Sequence, residues 1–131
     1  MRATLAIIKD NKILLIHRFK DNMEYFVFPG GSVESHETAE MAAIREAKEE
    51  TNFDIIISKK LFEHKDEFDS RLHHVFLVTE FSGDMALGGP EAEKNCENNR
   101  YILEWHDIDQ IPDMLIHSDS IKERILENFG G

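Results

Sequence analysis

Residues 38–51, TAEMAAIREAKEET, contain neither glycine nor proline and are rich in Ala, Glu, Met, Arg and Lys. That composition makes them the clearest helix in the chain. Pro29-Gly30-Gly31 forms a turn signal upstream. Asn52 follows, and Asn tolerates the left-handed backbone of a C-terminal cap. Thr38 or Ser35 supplies the N-cap. Helical spacing puts Glu46, Glu49 and Glu50 on one face, where their side chains can converge on one point. Like charges so close cost stability. Either water screens them or a cation offsets them. Mg²⁺ suits such a set, because it takes oxygen ligands and joins carboxylates to substrate phosphates. Arg45 precedes Glu49 by four residues and can hold it in place. Ala39, Ala42 and Ala43 leave room for another segment to approach the helix.

The flanking sequence reads mostly as strands. ATLAII (3–8) and ILLIHRF (13–19) form a hairpin about Asp10-Asn11. Asp21-Asn22 is a second turn, and Tyr25–Phe28 a third strand, stopped by Pro29-Gly30-Gly31. Strands are predicted over 53–58, 61–67, 74–81 and 100–106. A final helix over 118–128 carries Ile121, Ile125 and Leu126 on one face. Gly83, Gly88, Gly89 and Pro90 mark a loop that continues as the acidic stretch 91–99. The order strands, helix, strands, helix predicts an α+β fold with a mixed sheet covered by helices. A length of 131 residues suits a single domain, 1–131, with one core.

A net charge of −11 makes the chain a poor general nucleic-acid binder. A phosphate-ester substrate would need a local cation, which a bound divalent metal supplies. Cys96 is the only cysteine, so an internal disulfide and a four-cysteine zinc site are excluded. A reducing, cytoplasmic setting is expected. No apolar run reaches membrane-spanning length, and Met1–Ile8 lacks the features of a signal peptide.

From Gly31 the chain runs five residues to Glu37, seven more to Arg45-Glu46, then Ala47, Lys48, Glu49-Glu50, Thr51, Asn52 and Phe53. This resembles the Nudix box, Gly-x5-Glu-x7-Arg-Glu-U-x-Glu-Glu-x-Gly-U, with U a bulky aliphatic residue. Gly31, Glu37, Arg45, Glu46, Glu49 and Glu50 all match, a specific signal. FVFPGG before the box and EWHDIDQIP after it extend the resemblance weakly along the chain. Asn52 stands where the family has Gly, and Ala47 where a larger aliphatic is usual.

The resemblance implies a Nudix fold, with the mixed sheet sandwiched between helices in three α/β/α layers. It implies a Mg²⁺-dependent pyrophosphohydrolase, with Mn²⁺ an alternative ion, cleaving the P–O–P bridge of a nucleoside di- or triphosphate derivative. Glu46, Glu49, Glu50 and the Gly31 carbonyl would ligate metal. Arg45 would orient a glutamate, and Glu37 would support the site. Glu46 is the first candidate for general base. Glu97 is the second, and equally a candidate metal ligand; Glu91 and Glu93 compete with it. Arg18 and Lys20 are candidates for phosphate contact. Phe26 either flanks the base or packs in the core. The His73-His74 pair points to opposite faces of a strand, so the two cannot share one metal. Downstream substrate signatures are missing: no proline occurs between Pro29 and Pro90. The default substrate is therefore a small (d)NTP, a damaged nucleotide included. A non-catalytic nucleotide-binding module is the alternative, opposed by the full set of box glutamates. The expected partner is a small nucleotide, without membrane association; a homodimer is left open.

Overall fold

Strands β1 (Arg2–Lys9) and β2 (Lys12–Lys20) start as a hairpin and then part company. They pair only at Ile8↔Ile13 and Lys9↔Lys12. Asp10 and Asn11 make the turn with φ of 53° and 62°, the backbone that matches the twist of a two-residue hairpin. Asp21 and Asn22 repeat the device, at 50° and 67°, between β2 and β3 (Met23–Val27). Away from the first turn, β1 pairs with the short β4 (Gly30–Ser32), while β2 pairs with β3. The sheet is thereby split, and the split opens beside Gly30 and Gly31. In the computed structural model, residues 1–66, 70–86, 99–117 and 119–129 are described.

The remaining strands complete both halves. β6 (Leu72–Ser82) runs parallel to β1, and β5 (Asp54–Lys65) lies antiparallel beyond it. β7 (Asn99–Asp107) pairs antiparallel with the whole of β2, and β8 (Ile116–His117) parallel with β3. The sheet is mixed, as expected.

Each face of the sheet buries its own cluster. Ala3, Leu5, Ile7 and Leu14 pack with Ala42, Ala43 and Ala47 of helix α1 (Ala39–Thr51), together with Phe53 and Phe76. Ala6, Ile13, Leu15 and Val75 pack with Ile108 and Ile111 of a 3-10 helix (Ile108–Asp113) and with Ile121 and Ile125 of helix α2 (Asp119–Phe129). Burial on both sides explains the nearly unbroken apolar runs of β1 and β2. Each fully buried Leu or Ile contributes about 1.5–3 kcal/mol.

Three features depart from the sequence reading. The strands expected at 53–58 and 61–67 are one strand, β5, which crosses Lys59-Lys60 through register shifts against β6. Such irregularities absorb extra residues without ending the pairing. Gly30-Gly31 does not simply stop a strand; it pairs with Thr4 and Ala3 of β1. The 3-10 helix and β8 were not expected. Among the described residues, no helix is long and apolar enough to cross a membrane.

Candidate active site

The ends of α1 set its phase. Thr38 Oγ1 accepts the Met41 N–H at 3.1 Å, and Asn52 takes the left-handed conformation at φ 68° with its N–H on the Lys48 carbonyl. Ala42, Ala43 and Ala47 are fully buried, so α1 lies close against the sheet. One turn of rotation is then fixed, and Glu46 and Glu50 face the Gly30-Gly31 backbone. The Gly30 N–H donates to Glu50 Oε1 at 2.7 Å, and Glu50 is only 3% exposed. A Cβ on Gly31 would sit 2.3 Å from the Glu46 carboxyl carbon. At Gly30, φ is 148° and a Cβ would meet the Ala3 carbonyl at 2.1 Å. Gly30 therefore needs glycine, while a side chain at Gly31 would have to displace the Glu46 carboxylate from the space it occupies.

Arg45 offsets the crowded negative charge. Its guanidinium grips Glu37 in two bonds, Nη2 to Oε1 at 2.6 Å and Nε to Oε2 at 3.2 Å. Nη1 donates to Glu46 Oε1 at 2.7 Å and to Glu49 Oε2 at 3.3 Å. Nη2 also reaches the Ser32 carbonyl at 3.0 Å, tying α1 to β4. The Arg45 hydrogen bond, helped by the Glu34 N–H, pulls the Glu37 carboxyl down to about 2. The Glu37 hydrogen bond raises Arg45 in turn. Arginine suits this role because its planar fork holds several carboxylates at once.

The three α1 carboxylates do not meet at one point. Among the described residues, no group of three His, Cys, Asp or Glu side chains is gathered at metal-binding distance. Glu46 is turned to Arg45, Glu50 to Gly30, and Glu49 is 42% exposed at its side chain. The donor chemistry still fits a hard divalent cation: carboxylate oxygens, beside a backbone stripped of side chains at Gly30 and Gly31.

These groups form one wall of a cleft of about 480 Å³. Glu34, Arg45, Glu46, Glu49 and Glu50 line that side. The opposite side comes from β2, β3, β7 and β8. Arg18 Nη2 donates to Asn99 Oδ1 at 2.5 Å, and the guanidinium lies 3.7 Å from the Tyr101 ring centre. Tyr25 is 5.9 Å from the same guanidinium and stacks on His117 at 4.4 Å. Arg18 Nε is buried and has no hydrogen-bond partner among the described residues. Between the two walls lie Arg2, Thr4, Asp66 and His73, with Thr4 Oγ1 hydrogen-bonded to His73 Nδ1 at 2.9 Å.

The predicted residues distribute unevenly. Gly31, Arg45, Glu46, Glu49, Glu50 and Arg18 all line the cleft. Glu37 stands behind Arg45, its side chain 5% exposed. Lys20 is exposed at the end of β2 and does not line the cleft. Phe26 does not line it either. Successive strand residues face opposite ways, so Tyr25 takes that position. Phe26 packs against the second core cluster and stacks on His17 at 4.2 Å. Glu97, with Glu91 and Glu93, lies outside the described residues. Arg2, Tyr25, Asp66, Tyr101 and His117 were not foreseen. They are scattered along the chain, and only strand alternation beside Phe26 could have pointed to Tyr25.

A family model described as the NUDIX domain matches residues 1–129. The chain belongs to the Nudix family. It is similar to an ADP-ribose pyrophosphatase of Methanocaldococcus jannaschii, 32% identical over 120 residues, covering 88% of this chain and 66% of that protein. A Bacillus subtilis protein of the same name is 33% identical over 87 residues, covering 61% of this chain and 45% of the relative. The chain thus spans two thirds or less of both relatives. Among solved structures, a MutT NUDIX hydrolase from Burkholderia pseudomallei superposes with a TM-score of 0.71 at 28% identity, over 95% of each chain. The Escherichia coli ORF135 protein shares the fold, with a TM-score of 0.72 at 21% identity over 96% of this chain and 87% of that one.

Proposed function

We propose that this Nudix domain hydrolyses the P–O–P bridge of a nucleoside di- or triphosphate derivative with a divalent metal held by α1. The observation that carries this reading is the seating of Glu46 and Glu50 on the side-chain-free Gly30-Gly31 backbone, at the edge of a cleft. Glu46, Glu49, Glu50 and the Gly31 carbonyl would hold Mg²⁺, or Mn²⁺, with Glu97 a further candidate. When bound there, such an ion would supply charge neutralisation at the phosphoryl oxygens and would make the attacking water more acidic.

The chain's own residues then divide the work. Glu46 serves as general base, taking a proton from the water. Arg45 positions Glu46 and Glu49, and Glu37 holds Arg45. Arg18 neutralises substrate phosphate from the opposite wall. Tyr25, rather than Phe26, lines the cleft and offers a ring to the substrate.

A small (d)NTP is the default substrate, with damaged nucleotides included. The names of two relatives favour a second reading, ADP-ribose. A panel of dNTPs, oxidised dNTPs and ADP-ribose, incubated with Mg²⁺ and resolved by product, separates the two. Release of pyrophosphate and a monophosphate identifies the first; AMP with ribose 5-phosphate identifies the second. A folded protein that turns over no member of the panel contradicts the proposal.

A further inference from the structure

Three arginines line the cleft, and their surroundings differ. Arg45 is spent on carboxylates and the Ser32 carbonyl. Arg18 is bonded to Asn99 and stacked on Tyr101. Arg2 is part-buried, yet its side chain makes no hydrogen bond or ion pair with any described residue. An acidic chain with a formal charge of −11 offers many carboxylates to pair with. A guanidinium left unpaired among the described residues, inside a cleft lined by Glu34, Glu46, Glu49 and Glu50, therefore calls for a ligand.

The register of β1 says where that ligand sits. Arg2 pairs with Ser32 of β4 on one side and with His73 of β6 on the other. Ala3, the next residue, pairs with Gly31. Arg2 and Thr4 share a face of β1, and both line the cleft. Arg2 thus stands one residue along β1 from the pairing partner of Gly31. Arg18 stands on β2, across the split. An anion lying in the cleft would be met by one arginine from each strand of the opened hairpin.

We propose that Arg2 is a specificity-determining residue that binds a phosphate of the substrate on the Gly31 side of the cleft. The inference rests on the function proposed above. The ligand class is a diphosphate-bridged nucleotide, because two separated guanidinium groups reward two linked phosphates more than a single one. A nucleoside monophosphate would reach only one of them.

The test compares wild type with Arg2→Ala, Arg2→Met and Arg2→Lys. ADP and AMP serve as probes in calorimetric titrations with Mg²⁺ at low salt, alongside KM and kcat on the best panel substrate. Lys9→Ala, an exposed residue at the far end of β1, controls for the same change in net charge. Arg2→Ala and Arg2→Met should weaken ADP binding about tenfold or more and AMP binding much less. Arg2→Lys should recover part of the loss, and Lys9→Ala should bind like wild type. KM should rise with kcat nearly unchanged. Because the Arg2 side chain makes no hydrogen bond or ion pair with a described residue, Arg2→Met should melt where wild type does. Equal ADP affinity in wild type and Arg2→Met overturns the role of Arg2 while leaving the hydrolase reading intact. Wild type that neither binds ADP nor turns over the panel overturns both.

Discussion

The two walls of the cleft are built in opposite ways. The α1 wall comes from residues 30–50, and its partners are close in sequence: Arg45 bonds Glu46, Glu49 and Glu37. The facing wall joins Arg18, Tyr25, Asn99, Tyr101 and His117, drawn from four strands. Helical spacing, with the short segment that precedes α1, brings most of the first set together. The second set is brought together only when β2 pairs with β7 and β3 with β8. The first wall is a short-range code and the second a product of topology. Under the proposed function the division of labour would match: the local wall would hold the shared chemistry, and the assembled one the contacts that choose a substrate.

This division makes unequal demands on mutation. Glu46→Gln should lower kcat about 10³-fold with the fold retained, since it removes the proposed base. Activity near wild type in that variant would move the base elsewhere, with Glu97 next to be examined. Gly31→Ala should cost about 10²-fold, because a Cβ 2.3 Å from the Glu46 carboxyl must displace it. Both changes touch the local wall and should act on kcat. Arg18→Ala, on the other wall, should instead raise KM about tenfold with kcat within a few-fold of wild type. Steady-state kinetics on one substrate reads all three. A KM effect from Gly31→Ala, or a kcat collapse from Arg18→Ala, would dissolve the distinction between the walls.

The smallest expected effect is a pH dependence confined to the local wall. Glu37 titrates near 2 in the folded protein against an ordinary 4.5. Above pH 4.5 it is ionised folded or unfolded, and its stabilising contribution is fully present. As pH falls from 4.5 towards 2, the unfolded chain takes up a proton that the folded chain refuses, and that contribution is lost. Glu37→Gln should therefore flatten the fall in melting temperature across that window. Parallel melting curves for wild type and variant would show that the Arg45 clasp adds nothing to stability.

What could be read in the sequence follows the same line. Helix α1 and both of its caps were legible because Thr38 and Asn52 act on neighbouring residues. The hairpin turns were legible because Asp10-Asn11 and Asp21-Asn22 fix the backbone locally. The box residues were legible as a set, but their orientations were not. Spacing predicted three carboxylates aimed at one point, whereas Glu50 turns to the Gly30 N–H and Glu46 to Arg45. The Gly30 partner comes from folding the Gly30-Gly31 strand against β1, and Arg45 is the neighbour of Glu46 on α1. The same holds for Phe26, whose side was decided by pairing with His17 and not by its own type. Lys59-Lys60 read as a break, because charge interrupts the apolar pattern; the pairing with β6 carries β5 through it.

The claim on which the rest depends is that the α1 carboxylates hold a divalent ion beside the Gly31 backbone. Mn²⁺ titration followed by electron paramagnetic resonance tests it directly, on wild type and on Glu49→Gln and Glu50→Gln. Wild type should bind Mn²⁺ more tightly once ADP is present, and each variant should lose most of that binding while keeping its fold. Variants that bind Mn²⁺ as wild type does would contradict the claim.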